Sequence, residues 1–223
     1  EKEFDIYKNK QRQSVELNSR KTNMIAYKKF YQLLFPAENP LSGFGKASDF
    51  DLLSRDDVRE FYDEFYSSKE CEISLAGNFS DELLKTLEQN FGSNDWGKGK
   101  VHSMQEEPVT ALPQVETAFV HKDKAVQASL RVGNVCISHK DKDFMPFKVL
   151  VALFGGYFGS RLMTNIREEK GYTYSIGSYV TTYRNCAVLS TLADVKAEKA
   201  KETFKEIDKE IEKLQNERVE EKE

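Results

Sequence analysis

The chain has 223 residues, 39% of them hydrophobic and 31% charged, with a formal net charge of −4. That length gives one or two domains with room for a sizeable core, and the slightly acidic balance gives no electrostatic reason to expect nucleic acid as a partner. Three widely spaced cysteines, Cys71, Cys136 and Cys186, contain no CxxC pair and read as free or buried thiols, and no apolar run approaches the roughly 18 residues of a membrane span.

The opening EKEFDIYKNK is already helical in character, with no initiator Met and no signal-peptide pattern. The expectation is an excised or mature segment of a longer protein, whose compartment stays open. Glu3 to about Ser19 is a charged helix with Phe4, Tyr7 and Val15 on its buried side. Thr22 is a candidate N-cap for a second helix, in which Ala26, Phe30, Leu33 and Leu34 form one apolar stripe. Pro36 and Pro40 end it, and FPAENPLSGFGKAS reads as a surface loop.

Ser54 with Asp57 three positions on has the pattern of a capping box. It opens a helix whose stripe is Val58, Phe61, Tyr62 and Phe65. Cys71 to Ala76 alternates and reads as a strand before the Gly77-Asn78 turn. Ser80 caps the next helix, which buries Leu83, Leu84, Leu87 and Phe91 and closes at Gly92. From Ser93 to Pro113 the composition shifts to Gly, Pro and mixed charge, which reads as a linker pinned by Trp96.

Two strands follow, Val115 to His121 and Val126 to Ile137. Asp143 is placed to cap a helix over Phe144 to Phe154, with Pro146 in its first turn. Tyr172 to Arg184 and Cys186 to Ala193 alternate around an Arg184-Asn185 turn, and Ala197 to about Gln215 is an amphipathic helix. The pattern predicts an α+β fold, an antiparallel sheet with helices on one face. It also divides the chain into a helical first part (1–98), a linker (99–112) and a second part (113–223).

The stretch FGGYFGSRLMTNIREEKGYTYSIGSYV, Phe154 to Val180, is the richest in chemistry. Gly155-Gly156 ends one helix, Ser160 is placed to cap another over Arg161 to Lys170, and Gly171 stops it. Alternation then puts Tyr172, Tyr174 and Ile176 on one face of the following strand. Arg167 in the last helical turn and Tyr174 on the strand suit a peptide carbonyl or carboxylate, the Arg offering a fork of donors and the Tyr a single one. An Arg there also serves as an ordinary helix C-terminal cation, and Tyr174 as an ordinary strand aromatic. GGYFG follows a helix where a dinucleotide fingerprint needs a strand, and Ser160 lacks a nucleophile elbow. His102, His121 and His139 read as surface or turn residues, and Cys136 and Cys186 as buried structural thiols.

Gly155-Gly156, Ser160-Arg161-Leu162, Ile166-Arg167-Glu168, Gly171 and Tyr174-Ser175 together resemble the pitrilysin (insulinase-type) zinc metallopeptidase family, which includes the mitochondrial processing peptidases. YQLLFPAENPLSG, LLSRDDVREFYDEFY and EISLAGN resemble further segments of that family in the same order, with Asn78 where Asp is usual. The resemblance implies a repeated α+β unit, peptide-bond hydrolysis by the parent protein, and zinc held by an HxxEH motif. It assigns Arg167 and Tyr174 to substrate binding. HxxEH is absent here, so the resemblance implies no catalytic residue and no metal ligand in this chain. The implied partners are a peptide substrate and a zinc-bearing homologous domain or subunit. A second copy of the chain is an alternative partner, and a non-catalytic partner or scaffold subunit is the alternative function. Residues 1–98 and 113–223 match complementary halves of one repeat, so they are able to pack as one unit with Cys71 to Ala76 joining the later sheet.

Overall fold

A computed structural model describes residues 2–92, 95–100, 111–112 and 116–219. Two compact units emerge, Glu1–Ser14 with Lys46–Glu106, and Val15–Gly45 with Glu107–Glu223. The chain therefore does not divide simply at the 99–112 stretch, because residues 15–45 belong with the second unit.

The second unit is built on a three-stranded antiparallel sheet in the order β1 (Gln127–Cys136), β3 (Ala187–Lys196), β2 (Thr173–Thr182). Leu130 lies opposite Ala193, which in turn faces Ile176 on β2, so the three share one face of the sheet. Helices gather there. The helical segment 161–169 and α7 (Ala200–Asn216) bring Leu162, Met163, Ile166 and Ile207 onto Leu130, Ile176, Ala193 and Val195 in one buried cluster. Such burial is the main source of stability in a unit of this size.

The opposite side chains of the same strands meet α2 (Thr22–Leu34), an addition to the expected single helical face. Phe30, Tyr31 and Phe35 pack with Cys186 and Val188, and Arg131 lies 5.5 Å over the Tyr27 ring. The Tyr31 and Tyr183 hydroxyls are 2.8 Å apart. Burial, reinforced by that hydrogen bond, pushes Tyr31 above the ordinary phenol range.

Glu206 and Glu210 of α7 tie this helix to segment 161–169. Asn165 Nδ2 donates to Glu210 Oε1 at 2.6 Å and to Glu206 Oε2 at 3.3 Å. Lys209 Nζ donates to Glu206 at 2.7 Å, and Lys170 lies 3.5 Å from it. The Lys209 bond, then those from Asn165 and Lys170, hold the Glu206 carboxyl below its ordinary value despite partial burial. A depressed folded-state pKa adds stability above the unfolded value and loses it as pH falls through the folded one. The urea midpoint is therefore expected to drop as pH is lowered beneath the ordinary value of 4.5, with a flatter acid limb in Glu206→Gln. Identical acid limbs in the two proteins would contradict this.

The first unit holds most of α1 (Lys2–Ser19), α3 (Asp49–Leu52), α4 (Arg55–Phe65) and α5 (Asp81–Leu87). The expected capping box forms: Asp57 N–H donates to Ser54 Oγ at 3.1 Å and Ser54 N–H to Asp57 Oδ2 at 2.7 Å. Ser80 Oγ accepts from Leu83 N–H at 3.3 Å. Trp96 pins its stretch as expected, with Nε1 donating to Phe91 O at 3.2 Å.

Other expectations fail. Cys71 to Ala76 carries no strand ladder, so the strand expected there is not formed. The α4 stripe (Val58, Phe61, Tyr62, Phe65) and Leu83, Leu84 and Phe91 are exposed rather than buried, because among the described residues no sheet of this unit lies against them. Residues 116–121 likewise form no strand, and among the described residues β1 pairs with β3 alone. Lys21, not Thr22, is the N-cap of α2 and makes no side-chain cap bond. Asp143 precedes α6 (Phe144–Val151) without a side-chain cap bond. No helix among the described residues is long and apolar enough to cross a membrane.

Candidate functional site

The helical segment that carries Arg167 begins in α-helical winding at 161–162 and continues as a π-helix over Met163–Glu169. Such widened turns collect at functional sites. Ser160 precedes it, fully buried, but its hydroxyl has no hydrogen-bond partner, so the expected side-chain cap is not made. At the other end Gly171 takes the left-handed conformation, φ +62°. Its N–H donates to Arg167 O at 3.2 Å and Tyr172 N–H to Ile166 O at 3.0 Å, which satisfies the last carbonyls.

Gly155 explains how closely this region packs. A Cβ there would lie 2.7 Å from Ser178 Cβ and 2.8 Å from Ser178 N, so the preceding helical turn rests directly on β2. Underneath, Ser178 Oγ and Thr191 Oγ1 satisfy each other at 2.7 Å.

The start of β2 departs from simple alternation. Its pairing with β3 shifts between Thr173 and Ile176, a bulge. Thr173 Oγ1 stabilises the bulge by accepting from Ser175 N–H at 3.2 Å and donating to Asp194 O at 2.7 Å. Tyr172 therefore packs partly buried against the core with Ile176, while Tyr174 between them is 91% exposed. The expectation that all three share one face is corrected by that extra residue. Tyr179 is half exposed, with its ring folded over Gly177.

Arg167 and Tyr174 do come together, through the backbone of the tyrosine. Arg167 Nε donates to Tyr174 O at 3.0 Å. The guanidinium carbon lies 4.5 Å over the Phe158 ring, and Nη1 is 3.8 Å from Glu168 Oε1. The Arg167 side chain keeps 32% exposure. One donor is thus committed to the protein, Nη1 stands in ion-pair range of Glu168, and the Tyr174 side chain is exposed. Sequence reasoning missed Phe158. It sits nine residues before Arg167 in a Gly-rich turn, where no periodicity links the two.

Among the described residues no group of three or more His, Cys, Asp or Glu side chains is placed to hold a metal. His121 is exposed and pairs with Asp123 at 3.0 Å, and His139 is exposed. His102 lies outside the described residues. Cys186 is buried as expected, Cys136 is half-buried, and burial raises both thiols above their ordinary value.

The antiparallel sheet and its helical layers define an α+β unit of the metallopeptidase-repeat type. Residues 52–223 match the peptidase M16 inactive domain. The chain belongs to that family, in agreement with the pitrilysin-type motifs. It is 31% identical over 136 residues to an uncharacterized zinc protease of Bacillus subtilis, YmxG, covering 60% of this chain and 32% of the relative. It is 28% identical over 204 residues to an uncharacterized zinc protease of Rickettsia felis, covering 89% of this chain and 47% of that protein. A Helicobacter pylori relative, 28% identical over 144 residues (63% of this chain, 32% of that one), is named non-peptidase homolog YmxG. The chain thus spans a third to a half of the length of these relatives. Its fold matches the peptidase M16 inactive domain of Pseudomonas fluorescens with a TM-score of 0.81, at 20% identity over 98% of this chain and 53% of that one.

Proposed function

We propose that this chain is the substrate-holding, metal-free part of a zinc-dependent peptidase, and that Arg167 and Tyr174 grip the peptide backbone. The observation that carries the reading is the anchoring of Arg167. Its Nε donates to Tyr174 O at 3.0 Å and its guanidinium carbon stands 4.5 Å over the Phe158 ring, so the fork is held in place before a ligand arrives, while the side chain keeps 32% exposure. A pre-oriented guanidinium loses less freedom on binding than a mobile one. The Nη donors suit a peptide carbonyl or a carboxylate, and the exposed Tyr174 hydroxyl supplies a further donor. Charge that builds on a carbonyl oxygen during hydrolysis would be stabilised by such donors more than the resting carbonyl is. On this reading the zinc would be held by a homologous domain or subunit.

The test is made in a complete parent or complex that contains an HxxEH sequence and cleaves peptides. Arg167→Ala is expected to lower kcat/KM by an order of magnitude or more, about 1.4 kcal/mol of transition-state binding. An unchanged kcat/KM would remove Arg167 from the site. Purified alone, the chain is expected to carry negligible zinc, and tightly held stoichiometric zinc would contradict the assignment.

A second reading is a non-catalytic partner subunit that acts beside a zinc-bearing one. The matched family's description as an inactive domain and the Helicobacter pylori non-peptidase homolog favour it. An HxxEH motif elsewhere in the same polypeptide would select the first reading, and its absence the second.

A further inference from the structure

We infer that Phe158 is a positioning residue for Arg167, and that it gives the peptide site an apolar wall that favours a large apolar side chain next to the gripped carbonyl. The inference rests on the substrate-holding role proposed for Arg167.

Phe158 is a large apolar side chain left 62% exposed in a turn between two glycine positions. Its ring lies against Arg167, whose guanidinium carbon stands 4.5 Å from the ring centroid. That contact is of cation–π type and suits a planar guanidinium. Together with the 3.0 Å bond from Nε to Tyr174 O, it holds the guanidinium at two points, on the ring and along one edge. The Nη atoms are on the remaining edge, and the side chain as a whole keeps 32% exposure. Glu168 at 3.8 Å is in ion-pair range but too distant for a full hydrogen bond, so a ligand carbonyl or carboxylate would compete with a long contact.

The turn itself is placed firmly. Gly155 rests on Ser178 of β2, and Ser160 N–H donates to Tyr157 O at 3.1 Å, so residues 157–160 close a tight turn with Phe158 near its tip. Arg167 covers only part of the ring. The ring is 62% exposed and stands 4.5 Å from the guanidinium carbon, so a peptide held by its carbonyl on the guanidinium would bring an adjacent side chain within reach of the ring. Aliphatic or aromatic side chains gain from that burial and glycine does not.

The experiment uses the full chain and two probe peptides, acetyl-Ala-Phe-Ala-amide and acetyl-Ala-Gly-Ala-amide, followed by NMR of Arg167 and by titration. In the unligated protein the Phe158 ring current shifts the Arg167 δ-protons. Phe158→Ala is expected to abolish that shift, and Phe158→Tyr to keep it. The Phe peptide is expected to bind at least threefold more tightly than the Gly peptide. Phe158→Ala should weaken the Phe peptide about fivefold and erase the preference, while Phe158→Tyr restores both and neither variant alters the melting temperature by more than a degree or two. Peptide binding that survives Phe158→Ala but is lost in Arg167→Ala overturns the role of Phe158 alone. Binding unaffected by Arg167→Ala, or absent from the unmodified protein, overturns the substrate-holding reading and this inference with it.

Discussion

Gly133→Ala is expected to prevent β1 from pairing with the central strand. Gly133 lies opposite Ser190 in the β1–β3 ladder. A Cβ built on it would fall 1.9 Å from Leu189 O and 2.9 Å from the Leu189 carbonyl carbon. Both atoms are backbone of the central strand, so no rotamer change relieves the clash. Either β1 leaves the sheet or the ladder breaks around the site. Detaching β1 strips Leu130, Ala128 and Val132 from the main cluster and Val135 from the aromatic one. The cost should exceed the roughly 4–5 kcal/mol that marks exceptional point mutants, so the variant is expected to be insoluble or to melt without a cooperative transition. Gly156→Ala is the matched control. Its Cβ would come no closer than 3.3 Å, to the Ala152 side chain, so a small effect is expected. A Gly133→Ala protein whose melting temperature stays within a few degrees of the unmodified chain would refute the packing assigned to β1.

Local sequence chemistry and tertiary pairing were not equally legible. The capping box at Ser54 and Asp57, the Ser80 cap and the Gly171 stop are decided within a few residues, and all three appear as read. Long alternating runs gave β1, β2 and β3 because each presents apolar residues to a helical layer at a period of two. Cys71 to Ala76 alternates just as well yet pairs with nothing among the described residues. Alternation announces a strand-like face, whereas a ladder needs a neighbour, and strand preference depends strongly on that context. The bulge at 173–176 and the π winding at 163–169 each insert one residue into a regular period. That displaces Tyr174 from the face shared by Tyr172 and Ile176, a shift that strict periodicity cannot anticipate. The approach of Arg167 to Tyr174 was legible because a helix stop at Gly171 fixes the offset between them. The Phe158 contact was not, since it depends on how a glycine turn folds back over the helix.

Leu162→Ala carries the other large expected effect, and it links the core to the site. Leu162 is fully buried and begins the helical segment that bears Arg167. Its Cδ1 occupies the space 2.9 Å from where a Gly155 Cβ would stand, filling the junction between the glycine turn, β2 and the helix. Removing three carbons from a site closed on all sides leaves a cavity, and such changes cost about 2–5 kcal/mol. For a protein of this size that corresponds to a fall in melting temperature of roughly 5–15 °C. The loss should not be spread evenly. With its first buried anchor shortened, segment 161–169 can settle into the void, and the N–H groups of Gly171 and Tyr172 that close its far end should exchange faster with solvent. The Arg167–Tyr174 bond depends on the same placement, so peptide binding is expected to weaken beyond what Ile207→Val causes. That substitution in the same cluster removes one methylene from α7, away from the Arg167 turn, and costs about 0.5–1.5 kcal/mol. A Leu162→Ala protein with an unchanged melting temperature, or one that loses stability while Gly171 and Tyr172 exchange as slowly as before, would show that the Arg167 turn is held by something other than this buried side chain.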